Sequence, residues 1–331
     1  MRRREFITLL GGAAAAWPLT ARAQPSGKVR LIGLLLPYAE NNPEAQTVLA
    51  AFRDTLQGLG WTEGRNARIE VRWAGANLEH LRDYAPELVA LAPDVILCAS
   101  NYVVAELSHL TRTIPIVFTQ VSDPVGSGFV TGLSLARPGG NITGFTTFEP
   151  TMGGKWLETL REIAPRISRV AVLLQPQSAA NVAFWRAAEA SAPSLEFKVS
   201  AASVQNDTDI EHAIATLASY AGGGLIVLPN PITLGHRDLI IELAARHRLP
   251  AIYPLSFFVA SGGLLSYGID LTELWRKTAG YVDRILKGEK PGDLPIQQPT
   301  KYELVINLKT AKALGLTVSQ TLLARADRVI E

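Results

Sequence analysis

IPIVFTQVSDPVGSGFVTGLSLARPGGNITGFTT, residues Ile114 to Thr147, decides the fold. It opens as an apolar run expected of a buried strand and breaks at Ser122-Asp123-Pro124. It then closes on an apolar/polar segment just before a second α/β series begins. A strand ending in a polar loop, with a new series behind it, predicts two halves of one style.

Working back toward the N-terminus, the same unit recurs. Val29 to Leu36 (VRLIGLLL) is a nearly continuous apolar run, as a strand covered on both faces requires. Asn42-Pro43 forms a helix cap and first position, followed by apolar Ala45, Val48, Leu49, Phe52 and Leu56 at helical spacing, with Gly60 as a stop. Ala67–Trp73, Asp94–Ala99 and Ile114–Gln120 read as further strands, separated by helices over Leu78–Leu91 and Tyr102–Leu110. Strands alternating with helices predict a parallel, doubly wound sheet, whose ligands sit at the strand carboxyl ends. Those ends carry Tyr38, then Ser100, Asn101 and Tyr102, then Gln120, Ser122 and Asp123. Ser100 or Asn101 caps the following helix, leaving backbone N–H groups for an anionic group. Asp123 before Pro124 reads equally as an N-cap and as an ammonium contact.

Toward the C-terminus, Arg169–Leu174 (RVAVLL) opens a second series with strands at Phe197–Ser203, Leu225–Leu228 and Ala251–Pro254. Its strand ends offer Gln175 and Asn181, then Pro229 and Asn230, then Tyr253. Two polar rims facing across a cleft suit a small polar or zwitterionic ligand with an apolar or aromatic part. Tyr38, Tyr102, Tyr253 and Tyr267 are candidate ring contacts, or alternatively packing residues.

The front of the chain reads differently. Basic Met1–Arg4, apolar Phe6–Leu19 and a small-x-small site at Ala21-Arg22-Ala23 predict an export signal over residues 1–23, cleaved near Ala23. Arg3-Arg4-Glu5-Phe6-Ile7 is twin-arginine-like, and Sec export is the alternative. Removing this segment takes away four arginines and one glutamate, so the formal charge falls from +2 to −1. A near-neutral mature chain gives no support for a nucleic-acid partner.

No catalytic signature is present in the sequence. The five histidines lack metal-binding spacing, and Cys98 is the single cysteine, so neither a metal nor an intrachain disulfide is expected. Asp207–Glu211 has the start of a calcium loop, but His212 stands where the loop needs glycine, and a helix cap explains it better. Gly126-Ser127-Gly128 with Gly132 is one residue too long for a dinucleotide fingerprint and follows the wrong strand. It reads instead as a turn and helix start. No cofactor and no enzymatic activity are expected.

FRDTLQGLGWTEGRNARIEVRWAG (Phe52–Gly75), IPIVFTQVSDPVGSGFV (Ile114–Val130), RPGGNITGFT (Arg137–Thr146), GGLLSYGID (Gly262–Asp270) and YELVINLKTAKALGL (Tyr302–Leu316) together resemble the substrate-binding proteins of ABC transporters, of the group similar to tryptophan/tyrosine-type binding lipoproteins. The likeness spans about Val29 to Ile330. It implies a type I periplasmic binding fold: two Rossmann-like, doubly wound α/β lobes joined by three crossing strands. It places the crossings near Asn141–Thr147, Ser256–Tyr267 and Pro291–Pro299, with residues 28–145 plus about 268–290 in one lobe and 146–267 plus about 291–331 in the other. It also brings Thr147, Tyr267 and Asp270 to the cleft beside Ser100, Asn101 and Asp123. The function it implies is the periplasmic solute-binding component of an ABC importer. Such a protein is a monomer that closes by hinge motion on a small polar or amino-acid-like ligand and serves a membrane permease. The signal lacks a Leu-x-x-Cys lipoprotein box, so the expected product is soluble, and Asn230 stands where some relatives have an acid. A ligand-binding sensory partner of a receptor or two-component system shares this fold, and an exported enzyme is the third class.

Overall fold

A computed structural model describes residues 28–331 apart from 76, 131 and 133; the expected export signal lies outside the described residues. In chain order the elements are β1 (Arg30–Leu36), α1 (Pro43–Gly58), β2 (Ala67–Trp73), α2 (Leu78–Ala90), β3 (Val95–Ala99), α3 (Asn101–Leu110), β4 (Ile116–Val121) and β5 (Ile142–Thr146). Then come α4 (Met152–Ile163), β6 (Arg169–Leu174), α5 (Ala179–Ser191), β7 (Lys198–Ser203), α6 (Asp207–Ala218), β8 (Gly223–Val227), α7 (Pro231–Gly235), α8 (Arg237–Arg246), β9 (Ala251–Tyr253) and α9 (Ser256–Ala260). The chain ends with β10 (Leu265–Gly268), α10 (Leu271–Leu286), β11 (Glu303–Asn307), α11 (Leu308–Ala313), α12 (Gln320–Arg325) and β12 (Arg328–Ile330).

These elements form two sheets. The first runs β2-β1-β3-β4-β5, all parallel; the second runs β12-β11-β10-β9-β8-β6-β7, parallel except for β10 against β11. The first five strands of each half follow one plan: the order turns back on itself beside β1 in one sheet and beside β6 in the other. Both faces of the first sheet are covered, which explains its unbroken apolar runs. Ile32, Leu34 and Leu36 share a core with Val95, Leu97 and Phe52, whereas Leu35 packs on the other face with Ile96, Cys98 and Phe118.

The chain passes between the halves three times, at residues 147–151, 269–270 and 298–302. The second passage is therefore Ile269-Asp270; the Ser256–Tyr267 stretch instead builds α9 and β10 within the second half. After that passage α10 returns to the first sheet, where Trp275 meets Phe52 edge-on at 6.2 Å. Residues 294–297 then run beside β5, with Gln297 N–H donating to Gly144 O at 3.0 Å and the Gln297 carbonyl accepting from Thr146 N–H at 2.9 Å.

The sequence reading did not foresee α4. Its two glycines, Gly153 and Gly154, speak against a helix interior. Packing explains them: a Cβ at Gly153 would lie 1.9 Å from the carbonyl oxygen of Phe184, so only glycine lets α4 approach α5 this closely. The segment after Asp123 also differs from expectation, remaining a turn at Pro124–Gly128 with no helix start.

Gly153→Ala is expected to destabilise the fold by about 1–3 kcal/mol through overpacking. Gly280→Ala, in α10 with open space around it, is expected to stabilise by about 0.5–1 kcal/mol. Urea unfolding of the two variants checks the pair, and equal effects would refute the close-approach argument.

Candidate functional site

Parallel strands deliver their carboxyl ends to one edge of a sheet, and here the two edges face each other. Between them lies a narrow cavity of about 50 Å³, partly open to solvent. The ends of β1, β3 and β4 supply Tyr38, Ser100–Tyr102, Gln120 and Ser122 from one side. The loops after β6 and β8 supply Ser178, Asn181, Pro229 and Asn230 from the other. Thr147 and Phe148, on the first passage between the halves, line the space between the two sides.

The polar groups of each rim are largely bonded to one another. On the first side, Tyr38 Oη donates to Gln120 Oε1. Asn101 clamps the backbone of Ser122, Nδ2 donating to its carbonyl at 2.6 Å and Oδ1 accepting from its N–H at 3.0 Å. The Ser122 and Thr147 hydroxyls share a bond of 3.0 Å. On the second side, Asn181 Oδ1 accepts from Gln175 N–H at 3.1 Å and Asn230 Nδ2 at 3.0 Å, while its own Nδ2 donates to Pro229 O at 3.0 Å. Asn230 Oδ1 caps α7 by accepting from Thr233 N–H at 2.9 Å.

Backbone strain gathers at the same edge. Ser100, Gln120 and Asp123 have φ of 82°, 56° and 45°, a region that costs non-glycine residues about 1–3 kcal/mol each. The strand end of β4 is irregular, with a register shift between Phe118 and Val121. That shift turns Gln120 into the cavity.

Two side-chain contacts join the halves beside the cavity. Tyr102 Oη, from α3, donates to Gln175 Oε1 at 2.7 Å. Arg237 Nη1, from α8, lies 2.6 Å from Glu44 Oε1 of α1 in the adjoining space beyond Tyr38 and Leu271. Burial raises the Tyr102 phenol to about 12 and pushes Tyr38 up as well, so both remain neutral donors in the physiological range. A raised acid pKa is lost stability at high pH: the Tyr102 contribution is intact below about 10 and fades as pH climbs through 12.

Among the residues expected at the site, Tyr38, Ser100, Asn101, Gln120, Ser122, Thr147, Asn181 and Asn230 meet at this cavity. Gln175 reaches it through Tyr102. Four others do not line it. Asp123 Oδ1 accepts from Gly126 N–H at 2.9 Å and holds the turn. Asp270 caps α10 through Thr272 N–H at 2.8 Å. Tyr253 is buried within the second half, stacked on Phe258 at 4.9 Å. The Tyr267 ring packs against Tyr302, and its carbonyl accepts from Trp156 Nε1 at 2.7 Å.

Sequence reasoning missed Ser178 and the apolar wall of Phe148, Leu234, Leu255 and Leu271. Ser178 was legible by its place after β6, whereas Leu234 and Leu255 come from short segments without periodicity and Leu271 is the first residue of α10. Among the described residues no carboxylate, imidazole, ammonium or guanidinium lines the cavity. Among the described residues no cluster has the composition to hold a metal ion, and no helix is long and apolar enough to cross a membrane.

Residues 41–330 match the family model described as ABC transporter substrate binding protein. The tyrosine-binding protein of Clostridioides difficile is 25% identical over 275 residues, 83% of this chain and 78% of that one. A conserved domain protein from Vibrio cholerae superposes with a TM-score of 0.84 at 28% identity, covering 91% of this chain and 100% of that one. An ABC domain from Streptococcus pneumonia, solved in complex with L-Trp, superposes at 0.83 with 22% identity, covering 91% and 99%.

Tyr102→Phe removes the hydroxyl bond to Gln175 across the halves, worth about 0.5–1.5 kcal/mol. The expected result is a larger radius of gyration in solution scattering of the unliganded protein. An unchanged profile would mean that the bond does not hold the halves together.

Proposed function

This chain belongs to the ABC transporter substrate-binding protein family, and from that premise we propose that it is the solute-capturing component of an importer. It takes a small molecule into the cavity between its two halves and presents the closed form to a membrane permease. The carrying observation is that two sheets of one strand plan face each other by their carboxyl ends, where doubly wound sheets bind ligands, around a shared cavity lined by both. The lining suits a ligand with one polar end and an apolar body.

In this reading the lobes are built on the two sheets, with α10 carried by the first, and the three short passages between them act as the hinge. Closure is a population shift: the ligand favours the form in which both rims touch it. Tyr102–Gln175 and Glu44–Arg237 are contacts of that form. The site residues proposed to face the ligand are Tyr38, Ser100, Asn101, Gln120, Ser122, Thr147, Asn181 and Asn230, with Tyr102 added. The protein acts as a monomer in the periplasm, exported through residues 1–23; a mature N-terminus at Gln24, read by mass spectrometry of the exported protein, is the expected result, and an uncleaved chain would contradict it.

Thermal-shift screening of small carboxylates, amino acids and polyols is expected to find a stabiliser. A ligand at 100 times its dissociation constant adds about 2.7 kcal/mol. Leu234→Trp, which fills the cavity from its apolar wall, is expected to abolish the shift while leaving the unliganded melting temperature close to that of the parent. A stabiliser unaffected by Leu234→Trp would place binding elsewhere.

A further inference from the structure

Resting on the reading of this cavity as the binding site, we propose that its ligand is a small carboxylic acid with an apolar or aromatic body and no ammonium group, in preference to an amino acid.

The polar atoms left unused around the cavity set this preference. An ammonium brings three N–H donors and needs acceptors. The side-chain carbonyl oxygens around this cavity are already engaged: Gln120 Oε1 by Tyr38, Gln175 Oε1 by Tyr102, Asn101 Oδ1 by Ser122 N–H, Asn181 Oδ1 by two donors and Asn230 Oδ1 by Thr233 N–H. No lining side chain carries a negative charge. A buried ammonium here would have no anionic partner and would meet oxygens most of which already accept one bond, which is unfavourable.

Two polar groups lack a partner: an amide nitrogen, which only donates, and a hydroxyl, which can donate. Gln120 Nε2 and Ser100 Oγ are shut off from solvent and have no partner in the protein. Ser100 stands at the N-cap of α3 with φ of 82°, yet its side chain makes no cap bond. Among the described residues nothing accepts from the N–H groups of Asn101, Tyr102 or Val103, which open this ten-residue helix. Free first-turn amides, the positive end of a helix dipole and two unpartnered side-chain groups converge on an acceptor with negative charge. A polyol would bring hydroxyl hydrogens that need acceptors of their own. Opposite this polar corner, Phe148, Leu234, Leu255 and Leu271 leave an apolar wall for the body of the acid.

Glu44 is the nearest rival as an ammonium partner, since its Oε2 is buried without a partner. It lines the adjoining space, however, and Arg237 already balances its charge at 2.6 Å.

Calorimetric titration of the full mature chain with matched pairs tests the proposal: 3-phenylpropionate against L-phenylalanine, indole-3-propionate against L-tryptophan, and 3-phenylpropionamide as the uncharged control. At least one acid is expected to bind tenfold or more tighter than its amino acid and its amide, and Gln120→Leu is expected to weaken that acid by about tenfold. An amino acid binding as tightly as its acid overturns the proposal, and loss of that amino acid in Glu44→Gln would assign its ammonium to Glu44. Failure of both acids at millimolar concentration, with another compound bound and displaced by Leu234→Trp, overturns the ligand class and keeps the cavity. Acid binding that survives Leu234→Trp overturns the cavity reading itself.

Discussion

Parallel pairing is the constraint on which the rest of this molecule depends. A parallel strand cannot be reached by a hairpin, so each step along the sheet needs a crossover helix, and each loop entering a helix falls at the same edge. Where strand order reverses, the helices leave on opposite faces and open a crevice. With β1 beside β2 and β3, and β6 beside β7 and β8, the chain makes this crevice twice. The cavity consists of the two crevices placed mouth to mouth.

Holding two crevices in register demands that each rim be stiff. The backbone groups freed at strand ends are satisfied by amide side chains, which carry both a donor and an acceptor. Asn101 clamps Ser122, and Asn181 gathers Gln175, Pro229 and Asn230 into one network. Asn181 and Asn230 are 2% and 5% exposed. Such buried amides define a single geometry because any other leaves a polar group unpaired. At the cavity they therefore shape the site as well as line it.

The strand-and-helix alternation was readable because buried parallel strands and amphipathic helices both leave periodic patterns, and the rim residues followed from strand ends alone. Position along the chain did not reveal which polar residues turn inward. Asp123 and Asp270 sit at the right edge, but short side chains beside free amides bond locally: Asp123 holds a turn and Asp270 caps α10. Tyr253 and Tyr267 fell inside packed aromatic groups, a distinction that burial alone makes and sequence does not carry. The helix α4 was hidden by its glycines, which answer to the neighbouring helix rather than to local propensity.

The strained corner at Ser100 and Gln120 gains meaning from this contrast. Many helix starts are finished by their own caps, as at Asn42, Ser178 and Asn230, though those at Thr151, His236 and Leu255 are not. A serine at an N-cap ordinarily bonds the first-turn amides, and forgoing that bond costs about 1 kcal/mol. At Ser100 the backbone turns to φ of 82° and the hydroxyl leaves those amides open. Across β4's irregular end, Gln120 gives its carbonyl to Tyr38 and keeps its N–H₂ unmatched. Two neighbouring strand ends thus both depart from their local optimum, and both belong to residues that line the same cavity. Local packing gives no reason for that coincidence, whereas an acceptor shared between them does.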